Sequence, residues 1–142
     1  MKVEVLKQYS VFSPNEPGAL GKLASEFAKA GVSLVGISSE VRDDSAMIRI
    51  AVNPEGDFSG VLGQAGFASI ETKLISVEVP DKPGALTAIA DALAYGKVNI
   101  TNVYGTALHG GTCRILFAVE NTTKALKILE RLRLATEAGP SA

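Results

Sequence analysis

The chain has 142 residues, of which 46% are hydrophobic and 20% charged, and this composition is typical of a globular protein with a buried core. Fourteen basic and fifteen acidic residues give a net charge of −1, so we expect no nucleic-acid partner, because binding to a phosphate backbone requires a positive field. A single cysteine, no apolar run near the roughly 18 residues of a membrane helix, and no secretory signal at the start predict a cytoplasmic protein without membrane contact.

The first half of the chain has the order of strands and helices expected of a small α+β unit. Polar and apolar residues alternate around Tyr9 and Val11, and apolar residues then recur at helical spacing up to Gly31. A polar turn at residues 42–45 divides the next apolar stretch into two strands. The predicted strands cover residues 8–11, 32–41, 46–52 and 68–72, and the predicted helices cover residues 20–28 and 57–66.

The second half repeats this order. An alternating strand is followed by a helix that ends near Gly96, and Asn121 begins a run of capping candidates before the last helix. The predicted strands cover residues 75–79, 98–108 and 113–119, and the predicted helices cover residues 86–94 and 125–132. Residues 138–142 carry no strand pattern, which leaves open whether the second half has a fourth strand.

The two halves are copies of one unit. Residues 14–20, PNEPGAL, are answered at an offset of 66 residues by residues 80–86, PDKPGAL. The same offset carries the following helix and strand of the first half onto those of the second. A one-residue insertion within residues 108–112 changes the offset to 67, where a hairpin turn is expected. The order β-α-β-β-α-β, written twice, is a ferredoxin-like plan.

The duplicated loop precedes a helix in both copies. Its second proline lies in the first helical turn, where a missing N–H has no cost, and the glycine that follows leaves the backbone uncovered. A helix start with bare N–H groups attracts a carboxylate, and the oxygens of Asn15 and Asp81 could cap the helix or accept from an ammonium group. An ordinary strand-to-helix turn has the same residues and needs no ligand, so the residues alone leave both interpretations open.

The loop P-[ND]-x-P-G-A-L, with an apolar-faced helix and then GVSL (residues 31–34) or KVNI (residues 97–100), resembles the ACT domain. Nearly the whole chain is similar to stand-alone bacterial proteins that consist of two ACT domains. The resemblance implies an α+β fold of two ferredoxin-like βαββαβ (ACT) units, side by side, with antiparallel sheets that continue into one another and helices packed on one face. It implies domain 1 at residues 1–70 and domain 2 at residues 71–142.

In this family, amino acids bind at the interface between such units, against the loop and helix start of one unit and the second strand of its neighbour. The resemblance therefore implies ligand-binding residues in both loops and at the start of both second strands. These are Asn15, Glu16, Pro17, Gly18, Ala19, Leu20, Ser33 and Leu34 in the first copy, and Asp81, Lys82, Pro83, Gly84, Ala85, Leu86, Asn99 and Ile100 in the second. We expect no cofactor and no metal.

The copies are not expected to be equivalent. An ammonium group should be held better by the charged Asp81 than by Asn15. If the second copy lacks its final strand, an open sheet edge remains that a second chain could cover. For that reason we predict a homodimer or a larger assembly.

Combinations of residues that support catalysis are missing from the sequence. His109 is the only histidine and lies in a predicted turn, while Cys113 begins an apolar strand with no histidine at a recognisable spacing. The adjacent carboxylates Asp43 and Asp44 are expected to face water. Phosphate-binding, dinucleotide-binding and serine-hydrolase motifs are absent. We therefore do not expect an enzyme.

The sequence favours a regulatory, allosteric sensor that binds an amino acid between ACT units and modulates a partner. The alternative is an assembly or docking subunit of a metabolic enzyme that has no ligand of its own. The predicted partners are a small-molecule amino acid, a second copy of the chain and a metabolic enzyme.

Overall fold

The computed structural model describes residues 1–138, which fold into two units. The first unit comprises Leu6–Lys73, and the second comprises Met1–Val5 together with the chain from Leu74 onward. The strands are β1 (Lys2–Pro14), β2 (Gly36–Arg42), β3 (Ser45–Val52), β4 (Ala68–Pro80), β5 (Ile100–Ala107) and β6 (Thr112–Val119). The helices are α1 (Ala19–Lys29), α2 (Ser59–Gln64), α3 (Ala85–Tyr95) and α4 (Thr122–Glu137). Within residues 1–138, no helix is long and apolar enough to cross a membrane.

The sheet of the first unit has the strand order β2, β3, β1, β4, with residues 68–73 as its part of β4. β1 and β2 both pair antiparallel with β3, so that Tyr9 and Ile37 lie opposite Ile50. Helices α1 and α2 cover one face of this sheet, because the apolar residues at helical spacing, such as Leu23 and Phe27, are buried there. The buried core consists of Tyr9, Val11, Leu23, Phe27, Ile48, Ile50, Val52 and Leu62.

Tyr9 is the polar centre of this core. Its ring lies 6.3 Å from that of Phe27 and 6.2 Å from that of Phe58. Its hydroxyl accepts a hydrogen bond from the Phe58 amide (3.1 Å) and donates one to Glu71 Oε1 (3.2 Å). Burial raises the pKa of the Tyr9 phenol above its usual value of 10.0. The neutral hydroxyl therefore ties the loop before α2 to strands β1 and β4.

We predict that Tyr9→Phe lowers the free energy of unfolding by about 1–3 kcal/mol at neutral pH, because the Phe58 amide loses its acceptor. The folded protein holds the Tyr9 proton more tightly than the unfolded chain does. The stabilisation is therefore complete below pH ~10 and is lost as pH rises through the folded pKa. Urea denaturation at neutral and alkaline pH measures both effects.

The control is Tyr95→Phe, since the Tyr95 side chain is 94% exposed. This variant should match the unmodified protein at both pH values. An alkaline loss of stability that is the same with and without the Tyr9 hydroxyl would contradict the assignment.

The second unit repeats the architecture with the order β1, β4, β6, β5. β4 pairs antiparallel with β6 from Ile75 opposite Phe117 to Pro80 opposite Thr112, and β5 pairs antiparallel with the other edge of β6. Helices α3 and α4 cover one face, and Asn121 caps α4 by accepting a hydrogen bond from the Lys124 amide (3.0 Å). The buried core consists of Ile75, Val77, Val79, Ile89, Leu93, Val98, Ile115, Phe117, Ala125 and Leu129.

Residues 2–5 of β1 hold the place of the fourth strand in the second unit, next to β4. Met1 and Val3 pack against the core of this unit, which fixes the strand there. The expectation of an open sheet edge beside β4 is therefore wrong, and the homodimer prediction loses the reason given for it. The segment 139–142, where a fourth strand was left open, lies outside the described residues.

We predict that Val3→Ser destabilises the protein by about 1–2 kcal/mol, because it removes apolar contact between residues 2–5 and the core of the second unit. The matched control is Lys2→Ser on the same strand, whose side chain is 66% exposed. Chemical denaturation of both variants measures the difference. Equal stabilities would show that residues 1–5 do not complete the second unit.

The α+β plan with ferredoxin-like units is confirmed, and the main differences lie at element ends. The second strands begin at Gly36 and Ile100 instead of residues 32 and 98. The reason is that the Val32 and Val98 amides still bond to the carbonyls of the preceding helices, at 2.9 Å each. The predicted strands at residues 68–72 and 75–79 are one continuous strand, and α2 is shorter than predicted.

Candidate functional site

The duplicated loops have the same backbone geometry in both units. Gly18 and Gly84, which precede α1 and α3, have φ angles of 89° and 90°. This left-handed conformation suits glycine and strains other residues, so it explains the glycine in both loops. Equivalent hydrogen bonds close the two turns: Ala19 N to Glu16 O and Ala85 N to Lys82 O, both 3.3 Å, and Lys22 N to Gly18 O and Ala88 N to Gly84 O, both 3.0 Å.

Both helix starts keep bare backbone donors. The first amides of an α-helix have no acceptor within the helix, and neither glycine supplies a side-chain cap. The amides of Leu20 and Leu86 are among these donors, and the positive end of the helix dipole lies beside them. Each loop is therefore suited to a carboxylate group.

Asn15 and Asp81 do not cap the helices, so that interpretation is wrong. Their backbone amides instead dock on the neighbouring hairpin turns, at 2.9 Å from Asp44 O and from Gly111 O respectively. The side chains then differ, because the Asn15 amide group donates to Asp43 O (3.2 Å). Asp81 carries a charge at the same position and adds to the effect of burial in raising the pKa of the Cys113 thiol.

In the second unit, the loop borders a cavity of about 310 Å³. Four residues that the sequence predicts for the site line it together, whereas Asp81 and Leu86 do not. The lining residues are Met1, Val79, Pro80, Lys82, Pro83, Gly84, Ala85, Ala88, Ile89, Leu132 and Thr136. Sequence reasoning missed the contributions of Met1 and of α4. Leu132 belongs to the predicted apolar stripe of α4, but the sequence does not indicate where that stripe meets the loop.

The cavity has one cationic side chain in a mostly apolar lining. Lys82 supplies the charge, and Val79, Ile89 and Leu132 supply apolar surface. The Thr136 hydroxyl donates to Leu132 O (2.8 Å), so the lone pairs of its oxygen are available to accept a hydrogen bond. This arrangement suits a small molecule with a carboxylate and an apolar part.

The remaining predicted residues lie outside this cavity. In the first copy, Glu16, Pro17 and Leu20 are exposed, and Ala19 is half-buried at the start of α1. The four second-strand candidates fall at or before the strand starts. Ser33 is exposed, Leu34 and Ile100 pack on the cores of their own units, and Asn99 donates to Glu120 Oε1 (3.2 Å).

Side chains with catalytic potential are dispersed. His109 is exposed in the turn after β5, and Cys113 is partly buried in β6. Burial raises the pKa of the Cys113 thiol, which disfavours the reactive thiolate. Among residues 1–138, no group of three or more histidine, cysteine, aspartate or glutamate side chains could hold a metal ion.

The sequence profile of one family matches the part of the chain that contains the first loop and its helix. Residues 10–65 match the ACT domain. The matched segment lies within the first unit and includes Asn15, Pro17 and Gly18 of the loop. An ACT domain fits a regulatory, ligand-binding role. No curated protein matches the chain.

Solved structures share the fold along most of the chain. Protein BT0572 from Bacteroides thetaiotaomicron superposes with a TM-score of 0.82 at 23% identity, covering 92% of this chain and 90% of that one. The ligand-free regulatory subunit of aspartate kinase from Thermus thermophilus gives a TM-score of 0.65 at 17% identity, with coverage of 92% and 96%. A putative C-terminal regulatory domain of aspartate kinase from Porphyromonas gingivalis gives 0.57 at 12%, with coverage of 92% and 94%.

Proposed function

We propose that this chain is a tandem ACT module that binds a free amino acid at its duplicated loops and regulates a partner protein. The observation that supports this most is the repetition of one loop geometry in both units, with the same glycine angle, the same turn hydrogen bonds and the same uncapped helix start. An ordinary strand-to-helix turn does not require an uncapped helix start, and this chain has one in both units. The profile match supports the assignment for the first copy, and the repeat extends it to the second.

The second loop is the better prepared of the two sites. Lys82 and the amides at the start of α3 form a positive region for the ligand carboxylate. The Thr136 oxygen is an acceptor for the ammonium group at the cavity, and Asp81 adds a negative charge in the same loop although it does not line the cavity. The apolar lining favours an amino acid with an apolar side chain, because such a side chain leaves no buried polar group unpaired.

The proposed partner is a metabolic enzyme, with the chain as its separate regulatory subunit. The structure named as the regulatory subunit of a Thermus aspartate kinase matches 92% of this chain and is itself 96% covered. A similar fold over a similar length supports the role of a separate subunit. The dispersed His109 and Cys113 support a regulatory protein over an enzyme.

We predict that one or a few chemically related amino acids raise the melting temperature of the full chain at millimolar concentration, since a ligand that binds only the folded state stabilises it by mass action. Thermal-shift screening of the twenty standard amino acids measures this. A flat screen contradicts the sensor and favours a docking subunit without a ligand.

Variants then locate the site. Lys82→Gln removes the cation at the cavity and should weaken binding of the active amino acid about 10-fold. The control is Lys124→Gln on α4, which is exposed and does not line this cavity. Gly84→Ala strains the loop and should also weaken binding. Equal affinities for all variants would contradict the second loop as the site.

A further inference from the structure

We propose that the outer face of the first unit's sheet, opposite α1 and α2, carries a second small-molecule site for a carboxylate with an apolar body. This proposal is independent of the loop sites and involves none of their residues. It rests on a cluster at the end of the β2–β3 hairpin that has no equivalent in the second unit.

The strand register shows which side chains form this cluster and on which face of the sheet they lie. Directly opposite residues of antiparallel strands lie side by side on one face. Phe12 and Glu40 both lie opposite Met47, so these three side chains form one row across the sheet. Their chain neighbours Val11 and Ile48 are buried under the helices. Because side chains alternate between faces, the row points to the other face.

The row is apolar at its centre and exposed. Phe12 remains 46% exposed, although a phenylalanine ring is usually buried, and Met47 is half-buried beside it. A cavity of about 320 Å³ lies over them, lined by Phe12, Ser13, Glu40, Arg42, Ser45, Ala46 and Met47. Its volume lies at the lower end of the range of small-molecule sites.

The charged side chains around the cavity determine which kind of ligand it favours. Glu40 forms an ion pair with Arg49, whose Nη1 lies 3.0 Å from Glu40 Oε1. Arg42 lines the cavity, and within residues 1–138 its guanidinium has no carboxylate partner and donates no hydrogen bond. An unpaired guanidinium beside an apolar surface favours a carboxylate, which it can hold through two parallel hydrogen bonds.

The equivalent face of the second unit has an ion pair in place of the apolar pair. There, Glu78 of β4 and Arg114 of β6 take the register positions of Phe12 and Met47. Arg114 Nη2 lies 2.7 Å from Glu78 Oε1, so the two side chains form an ion pair. The position of Arg42 is taken by Leu108. The two copies therefore share the backbone but differ at this face, where the first has an apolar pair beside a free cation.

The test uses the full ¹⁵N-labelled chain and 3-phenylpropanoate as the probe, followed by NMR chemical shifts up to about 10 mM, where a millimolar site is mostly occupied. We expect saturable shifts confined to residues around Phe12, Arg42 and Met47. The neutral 3-phenylpropanamide should bind about 10-fold more weakly, because it lacks the charge that Arg42 recognises. Phenylalanine, used in parallel, shows whether an added ammonium group is tolerated beside Glu40.

Two variants locate the site. Arg42→Gln should weaken the probe about 10-fold, whereas Arg131→Gln, an exposed arginine of α4, should not change its affinity. The double variant Phe12→Glu with Met47→Arg installs the ion pair of the second unit and should abolish binding. Its NMR spectrum shows whether it remains folded, and Arg42→Gln tests the site if it does not.

Three results would overturn the proposal. These are the absence of saturation, shifts scattered over the surface, and equal affinity of the acid and the amide. Lys82→Gln should leave the probe unaffected, which separates this site from the loop site. A concentration-dependent change in molecular mass, with no response to the probe, would instead show that a second copy of the chain covers the face.

Discussion

The architecture of the second unit depends on one constraint, which is that an interior strand must be hydrogen-bonded to a neighbouring strand on each side. Each ferredoxin-like unit places its first strand between its third and fourth, and in the second unit residues 2–5 serve as the fourth. Val3 then completes the core beneath α3 and α4. Met1 lines the same cavity as Lys82 and Gly84, so the segment that completes the sheet also contributes to the candidate site.

Duplication conserved the backbone of the two units, and side-chain changes gave them different chemistry. The loops agree within 1° at the glycine φ angle and share their turn hydrogen bonds, because the strand-to-helix turn tolerates few alternatives. Asn15 is used to hold a hairpin turn, while Asp81 keeps a charge in the same place. The outer sheet faces differ in the same way, with Phe12 in one unit and the paired Glu78 in the other.

Features encoded by local spacing could be predicted from the sequence, and features that depend on distant segments could not. The helix faces and the strands follow from residue periods of about 3.6 and two. The hairpins follow from turn residues, the Asn121 cap from a capping residue before a helix, and the repeat from the 66-residue offset. The position of residues 2–5 depends on pairing with a strand some 70 residues away, which no local pattern encodes. Met1 and Thr136 reach the cavity for the same reason. The second strands were placed too early because Val32 and Val98 are apolar yet still belong to helix ends.

The position of the cavity in the second unit gives the proposed ligand a physical route to regulation. Its walls include the loop before α3, the C-terminal part of α4, and Met1, which precedes β1. A ligand there contacts three segments that are far apart in sequence, so its binding free energy adds to the association of those segments. Such a ligand favours the arrangement in which the three segments lie close together. Binding of a partner to that arrangement is favoured by the same coupling free energy, since the coupling between two sites is reciprocal. In the proposed complex, the small side chains of Gly84 and Ala85 leave the amides of α3 accessible to the ligand carboxylate, and Leu132 and Ile89 contact its apolar part.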